Sequence, residues 1–289
     1  MAEEEASPAP AATPEPSPGP LPLPPAWQPF SARGIAAFSV AGATRLWLLE
    51  LAVALIAAVT VVWFLATAWF PEVRQAIANL PDQGLILDQQ LRTPLPPVTI
   101  LAEGPRLGFI VDRNDLENAV ASSDIRVEFH RTRLVVGSIF GSLVFAYPKG
   151  WSIQFNRTEL LPTWGAWEPI LLGLAALGVI AGLLLSWAIL AFLYSLFARP
   201  AAYLLDRPLT WGGSWKLASA ALMPGALLMS LTLLLYGLGI LDVMRALIIA
   251  ALHLAVGWVY VIAGTLALPR REPDAPSNPF SPSSTQIES

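Results

Sequence analysis

Cysteine is absent from the 289 residues, histidine occurs only twice, and charge is scarce, with Asp, Glu, Lys and Arg filling 13% of positions against roughly 25% in an average soluble domain. The first absence excludes disulfides, thiolate zinc sites, iron–sulfur clusters and cysteine nucleophiles. The second limits any metal or triad chemistry. The third leaves too little charge to cover the surface of a soluble globule. Also missing are a P-loop, a dinucleotide glycine fingerprint, H-E-x-x-H, G-x-S-x-G and a kinase signature. No basic footprint of a nucleic-acid binder is present. No catalytic, cofactor-binding or metal-ligating residue can be named, and neither a cofactor nor a nucleic-acid partner is expected.

What is there is hydrocarbon: 55% of residues are hydrophobic and the mean hydropathy is +0.57. Four apolar runs reach the roughly 20 residues needed to cross a bilayer. They are residues 46–70, closed by Pro71; 170–197, between Pro169 and Arg199-Pro200; 217–240; and 246–268, stopped by Pro269. The expected fold class is an α-helical integral membrane protein with four transmembrane helices and a small β-rich extracytoplasmic domain between helices 1 and 2. The lipid bilayer is its first partner. The opening run is too long, and its polar leader too long, for a cleaved signal peptide.

Residues 1–29 hold ten prolines, a composition that cannot bury enough apolar surface to offset ordering entropy, so a disordered cytoplasmic tail is expected there and again over 269–289. Residues 30–45 are expected to form an interfacial helix. The lysines and arginines of the short flanks (Arg33, Arg45, Arg199, Arg207, Lys216, Arg270, Arg271) fall on one side of a four-span chain, the 198–216 loop included. The positive-inside rule then makes that side and both termini cytoplasmic, and the expected location is a bacterial inner, or plasma, membrane, with the chain a multi-pass protein.

The segment 71–169 carries alternating or β-branched apolar stretches broken by turn residues: "GLILDQQL", "LGFIVD", "DIRVEFHRTRLVVG", "SLVFAYP" and "WSIQF". In "DIRVEFHRTRL" Ile125, Val127 and Phe129 alternate with Arg126, Glu128 and His130, the pattern of an antiparallel strand with one wet face. His130 is therefore expected to be solvated, beside Glu128. A short helix is expected over Asn114–Ser123.

Within the spans, His253 lies roughly 10 Å inside the fourth at helical rise. Ionisable groups at that depth face a protein interior or a watery cavity. It is either a proton or substrate site, or a neutral imidazole bonded to Ser230, Thr232 or Tyr236. Glu50 is expected to reach headgroups or pair with Arg45. Gly178, Gly182 and Ser186 form a small-residue stripe that permits close helix approach, in the bundle or in a homo-oligomer. Pro224 is expected to kink the third span without ending it, because lipid offers no partner to broken backbone. The carbonyl freed at Ala220 would be covered by neighbours or by Ser219. Gly212 and Gly213 would let the chain turn into this span.

The order of parts, with "LTWGGSWKLASAALMPGALL" opening the third span, resembles a family of uncharacterised bacterial multi-pass inner-membrane proteins, maltodextrin-utilisation-protein-like and loosely Yip1-like. Trp211, Lys216, Ala218, Ala220 and Pro224 carry the likeness, with "LPDQGLILDQQL" and "LGFIVD" outside the membrane. The resemblance implies an architecture and no activity. The expected function is that of a non-enzymatic inner-membrane protein whose extracytoplasmic domain, residues 71–169, binds an envelope protein or small ligand as sensor, scaffold or accessory. A transporter or transporter subunit is the alternative, and an intramembrane lipid-modifying enzyme a third.

Overall fold

The computed structural model describes residues 23–114 and 122–270. Of the tails expected over 1–29 and 269–289, residues 1–22 and 271–289 lie outside the described residues, as does most of the helix expected over Asn114–Ser123. Within 23–29, Ala26 is 4% exposed and packs in the bundle core, so that stretch is not a free tail. Four helices among those described are long and apolar enough to cross a membrane, and the β-strands lie between the first and second of them.

The first long helix is α2 (Ala43–Phe64), which runs through a π-helical turn, Leu65–Trp69, into α3 (Phe70–Ala78). Pro71 does not close this helix: Ala43–Ala78 runs on as one helix of 36 residues, with Pro71 placed directly after the π-helical turn. The wide turn re-registers the ladder just before it, the Phe70 N–H reaching back to the Leu65 carbonyl, as π-bulges do. The second long helix, α4 (Arg157–Leu204), holds Pro162, Pro169 and Pro200 inside 48 residues, about 72 Å at helical rise. It thus overruns the expected 170–197 at both ends. Its first turns pack beside α3: Phe70 meets Trp164 edge-on at 5.0 Å, and Arg74 Nη2 bonds both carboxylate oxygens of Glu168 at 2.7 and 2.8 Å. These two helical extensions form the stalk between bundle and β-region.

α5 (Trp211–Gly237) and α6 (Val243–Ala267) complete the bundle. α5 is its hub, packing against α2, α4 and α6, and it supplies the fully enclosed Leu217, Ala218, Ala220, Ala221 and Met223. It passes Pro224 unbroken. Gly212 and Gly213 belong to its first turn and do not form a loop. Thr210 caps that turn by accepting from the Gly213 N–H, and a Cβ on Gly213 would stand 3.0 Å from the Ser39 carbonyl oxygen, so glycine permits the close approach.

The helix expected on a surface over 30–45 is instead short and interior. In α1 (Ala32–Phe38) residues Ile35, Ala36, Ala37 and Phe38 are buried against α5 and α6. Its apolar side faces a prepared slot, with Gly264 of α6 lying against Ile35, so protein and not lipid covers it.

The β-region has two sheets. β1 (Leu85–Leu87) pairs antiparallel with β2 (Gln90–Arg92) and β8 (Ser152–Gln154). Asp88 and Gln89, with φ of 50° and 64°, make the first hairpin turn, where a two-residue type I′ loop requires φ > 0 twice. The second sheet has the order β3 (Val98–Glu103), β4 (Leu107–Asp112), β5 (Ile125–Phe129), β6 (Arg133–Ser138) and β7 (Gly141–Ala146). Its pairs are antiparallel except β4–β5, which is parallel. Ile86, Leu91, Leu101, Val111, Tyr147 and Phe155 pack with Ala76 and Leu80 of the α3 end into one core.

"DIRVEFHRTRL" is not a single strand. It turns after Phe129, where the His130 N–H bonds the Arg133 carbonyl. His130 is 5% exposed, so the solvated reading fails. The turn tucks under the small sheet, the Leu91 N–H bonding the Arg131 carbonyl at 2.7 Å, and the Tyr147 hydroxyl donates to the His130 carbonyl at 3.0 Å. Burial pushes the Tyr147 phenol well above its ordinary range, so it stays a neutral donor.

Candidate functional site

The sequence-named residues divide between the bundle and its surface. Glu50, on α2, is 1% exposed and accepts a hydrogen bond from the Ser219 hydroxyl of α5. It neither reaches headgroups nor pairs with Arg45, because the face of α2 that carries Glu50 and the buried Val53, Ala54 and Ala57 is turned toward the bundle. Ser219 is thereby committed to Glu50, so its hydroxyl does not cover the Ala220 carbonyl. Arg45 lies over the Trp27 ring at 5.5 Å.

His253 stands against α5 one residue beyond Pro224: a Cβ on Gly225 would lie 3.3 Å from the His253 carbonyl oxygen. Its Nδ1 contacts the Ala250 carbonyl of its own helix. The hydroxyls expected to hold it are occupied elsewhere. Ser230 donates to Ala226 O, Thr232 to Leu228 O, and Tyr236 to Asp124 Oδ2. Glu50 and His253 meet α5 at Ser219 and Gly225, six residues or about 9 Å apart along the helix.

Gly178, Gly182 and Ser186 do not bring another helix close. A Cβ at either glycine would meet nothing within 4 Å. All three line a laterally open cavity of about 530 Å³ between α2, α4, α5 and α6, together with Trp187, Tyr194 and His253. The stripe makes room because α4 and α6 touch at Tyr194, Phe197 and Trp258 and diverge on the side of that contact where the glycines lie.

The aromatic and basic residues opening α5 fasten one end of the bundle. Lys216 Nζ donates to the Ala41 carbonyl at 2.5 Å, the Trp215 indole to the Ala188 carbonyl at 3.3 Å, and Arg199 lies 4.1 Å from the Trp211 ring centre.

The other end is fastened to the large sheet. Tyr236 donates to Asp124 Oδ2 at 2.6 Å, and Arg106 donates through Nε and Nη2 to the Tyr236 carbonyl at 3.0 and 2.6 Å. Asp124 immediately precedes β5, whose Ile125 pairs with Ser138 at the end of β6. The two-residue β6–β7 turn, Ile139–Phe140, therefore lies at the bundle end of the sheet. Phe140 is 80% exposed there.

The two edges of this sheet differ. β3 has α3 packed on it, a register shift between Ile100 and Ala102, and its Leu101 carbonyl bonded by Asn79 Nδ2 at 2.7 Å. Among the described residues β7 has no such guard. All six of its residues are exposed, among them Leu143, Val144 and Phe145, and no charged residue occurs from Ile139 to Tyr147. Proteins ordinarily protect an apolar edge with lysine, proline, a bulge or a covering element, because its unpaired N–H and C=O groups template another strand. The β character of "SLVFAYP" was readable from its residues, whereas its place at an open edge depends on strand order.

No metal-binding cluster of three or more His, Asp or Glu occurs among the described residues. No protein-family model matches the chain, and neither a curated protein nor a solved structure matches it. The resemblance drawn from "LTWGGSWKLASAALMPGALL" accordingly rests on those residues alone.

Proposed function

We propose that this is a non-enzymatic multi-pass protein of a bacterial inner membrane, with both termini cytoplasmic, whose extracytoplasmic β-domain binds an extended segment of an envelope protein along β7. The observation that carries the reading is the unguarded apolar β7 edge beside a guarded β3 edge. In strand addition, main-chain hydrogen bonds supply affinity while alternate side chains supply specificity, and β7 offers both. The architecture of the resembled family fits this division into anchor and external domain. Orientation follows the basic residues: Arg45, Arg199 and Lys216 all serve the end of the bundle remote from the sheet. The bundle's Glu50 and His253 contact different places on α5, which favours an anchoring bundle over an acid–base site.

The test is a crosslinking pull-down of the full chain from native membranes. The proposal expects a discrete envelope protein that is recovered by the wild type, lost on deletion of residues 71–169 and lost with Val144→Lys, which places a charge on the edge. Recovery that survives either change rejects it.

A further inference from the structure

The cavity in the bundle has a chemistry of its own. α4 and α6 meet through Tyr194 and Phe197 against Trp258, with ring centres 4.4 and 5.2 Å apart. On the sheet side of this aromatic contact they part, and α2 and α5 floor the gap with Ala57, Leu222 and Ala226. About 530 Å³ lies within the range of small-molecule sites. The wall at Gly178 and Gly182 is open, which gives a lateral entry from the apolar surroundings of the helices.

No Asp, Glu, Lys or Arg lines this space, so nothing there would compensate a charged ligand. Of its polar groups, Ser186 and Ser230 donate to carbonyls of their own helices, and His253 contacts Ala250 O. Trp187 and Tyr194 are different. They are 3% and 8% exposed, both line the cavity, and neither hydrogen-bonds any described residue. The Tyr194 hydroxyl is placed at the wall by Gly257, whose added Cβ would stand 3.6 Å from it. The two residues are seven apart on α4, two turns and about 10 Å along one face. An indole N–H can only donate and a phenol hydroxyl donates readily, so both can bond an acceptor placed in the space they line.

We propose that the cavity binds an uncharged, lipid-soluble carbonyl compound. Its apolar body lies against Gly178, Gly182 and Leu222, and its carbonyl oxygens accept from the Trp187 indole and the Tyr194 hydroxyl. This inference does not rest on the β7 reading and survives or fails separately from it.

The experiment is native mass spectrometry of the full chain in detergent, with decylubiquinone and dioctanoylglycerol as separate probes and thermal unfolding as a control for folding. A 1:1 adduct with at least one probe is expected, the quinone or the glycerolipid arm identifying the source of the carbonyl. Tyr194→Phe and Trp187→Phe should each weaken it by several-fold to about tenfold, the worth of one hydrogen bond. Gly182→Leu, or Gly178→Leu should the first variant unfold, fills open space and should abolish the adduct at unchanged Tm. The proposal is overturned if neither probe gives a 1:1 adduct, or if a folded cavity-filling variant binds as the wild type does. It is also overturned if loss of both donors leaves affinity unchanged.

Discussion

The Ser219 hydroxyl donates to the Glu50 carboxyl group across the α2–α5 contact, and the two side chains are 0% and 1% exposed. A buried polar group is tolerated when bonded and costs about 1–3 kcal/mol when its partner is removed. Ser219→Ala strands the carboxyl group and is expected to cost about that much. Glu50→Gln keeps an acceptor for Ser219 and is expected to cost less than Ser219→Ala. Thermal unfolding in detergent separates them: at roughly 2–4 °C per kcal/mol for a chain of this size, Ser219→Ala should have the lower Tm.

The seat of α1 on α6 depends on a missing side chain. A Cβ on Gly264 would lie 2.7 Å from Ile35 Cγ2, whereas one on Gly173 would meet nothing within 4 Å. Gly264→Ala is expected to destabilise by about 1–3 kcal/mol through overpacking. Gly173→Ala should be neutral or stabilise by up to about 1 kcal/mol, as replacing a helical glycine does. Equal Tm values for the two variants would contradict the packing of α1.

The strand register that sets Ile139–Phe140 at the bundle end of the sheet has a direct readout. Because the chain has no cysteine, Phe140→Cys creates a single thiol for an environment-sensitive fluorophore. In proteoliposomes the label should be blue-shifted and quenched by headgroup nitroxide lipids, while a label introduced by Thr132→Cys, at the opposite β5–β6 turn, should not. Equal quenching at both positions would refute the placement.

Much of the architecture was legible because hydrophobic length and β alternation are local signals. The four apolar runs and the strands around "LGFIVD" and "WSIQF" needed nothing else. Helix ends depart from the sequence expectation at prolines. Pro71 follows a π-helical turn inside a continuous helix, and Pro169 and Pro200 are carried inside α4, whose packing outweighs the local cost. Side-chain environments were the least legible. Glu50 and His130 are polar in type, yet their burial follows from contacts with Ser219 and from the turn under β2, distant in sequence. Gly178 and Gly182 carry the spacing of a packing stripe, and only the divergence of α4 from α6 turns that stripe into a cavity wall. Nothing local marks Trp187 and Tyr194, because whether an aromatic donor has a partner depends on the packing of other helices. β7 read as a strand, but open edges are a property of strand order.

The most direct test of the partner-binding account is site-specific photo-crosslinking in the cells that make the protein, with benzoylphenylalanine replacing Phe145 on β7 or Ile100 on the guarded β3 edge. The account predicts a discrete protein adduct from position 145, abolished by Val144→Lys, and none from position 100. No adduct at position 145, or the same adduct from both positions, would contradict it.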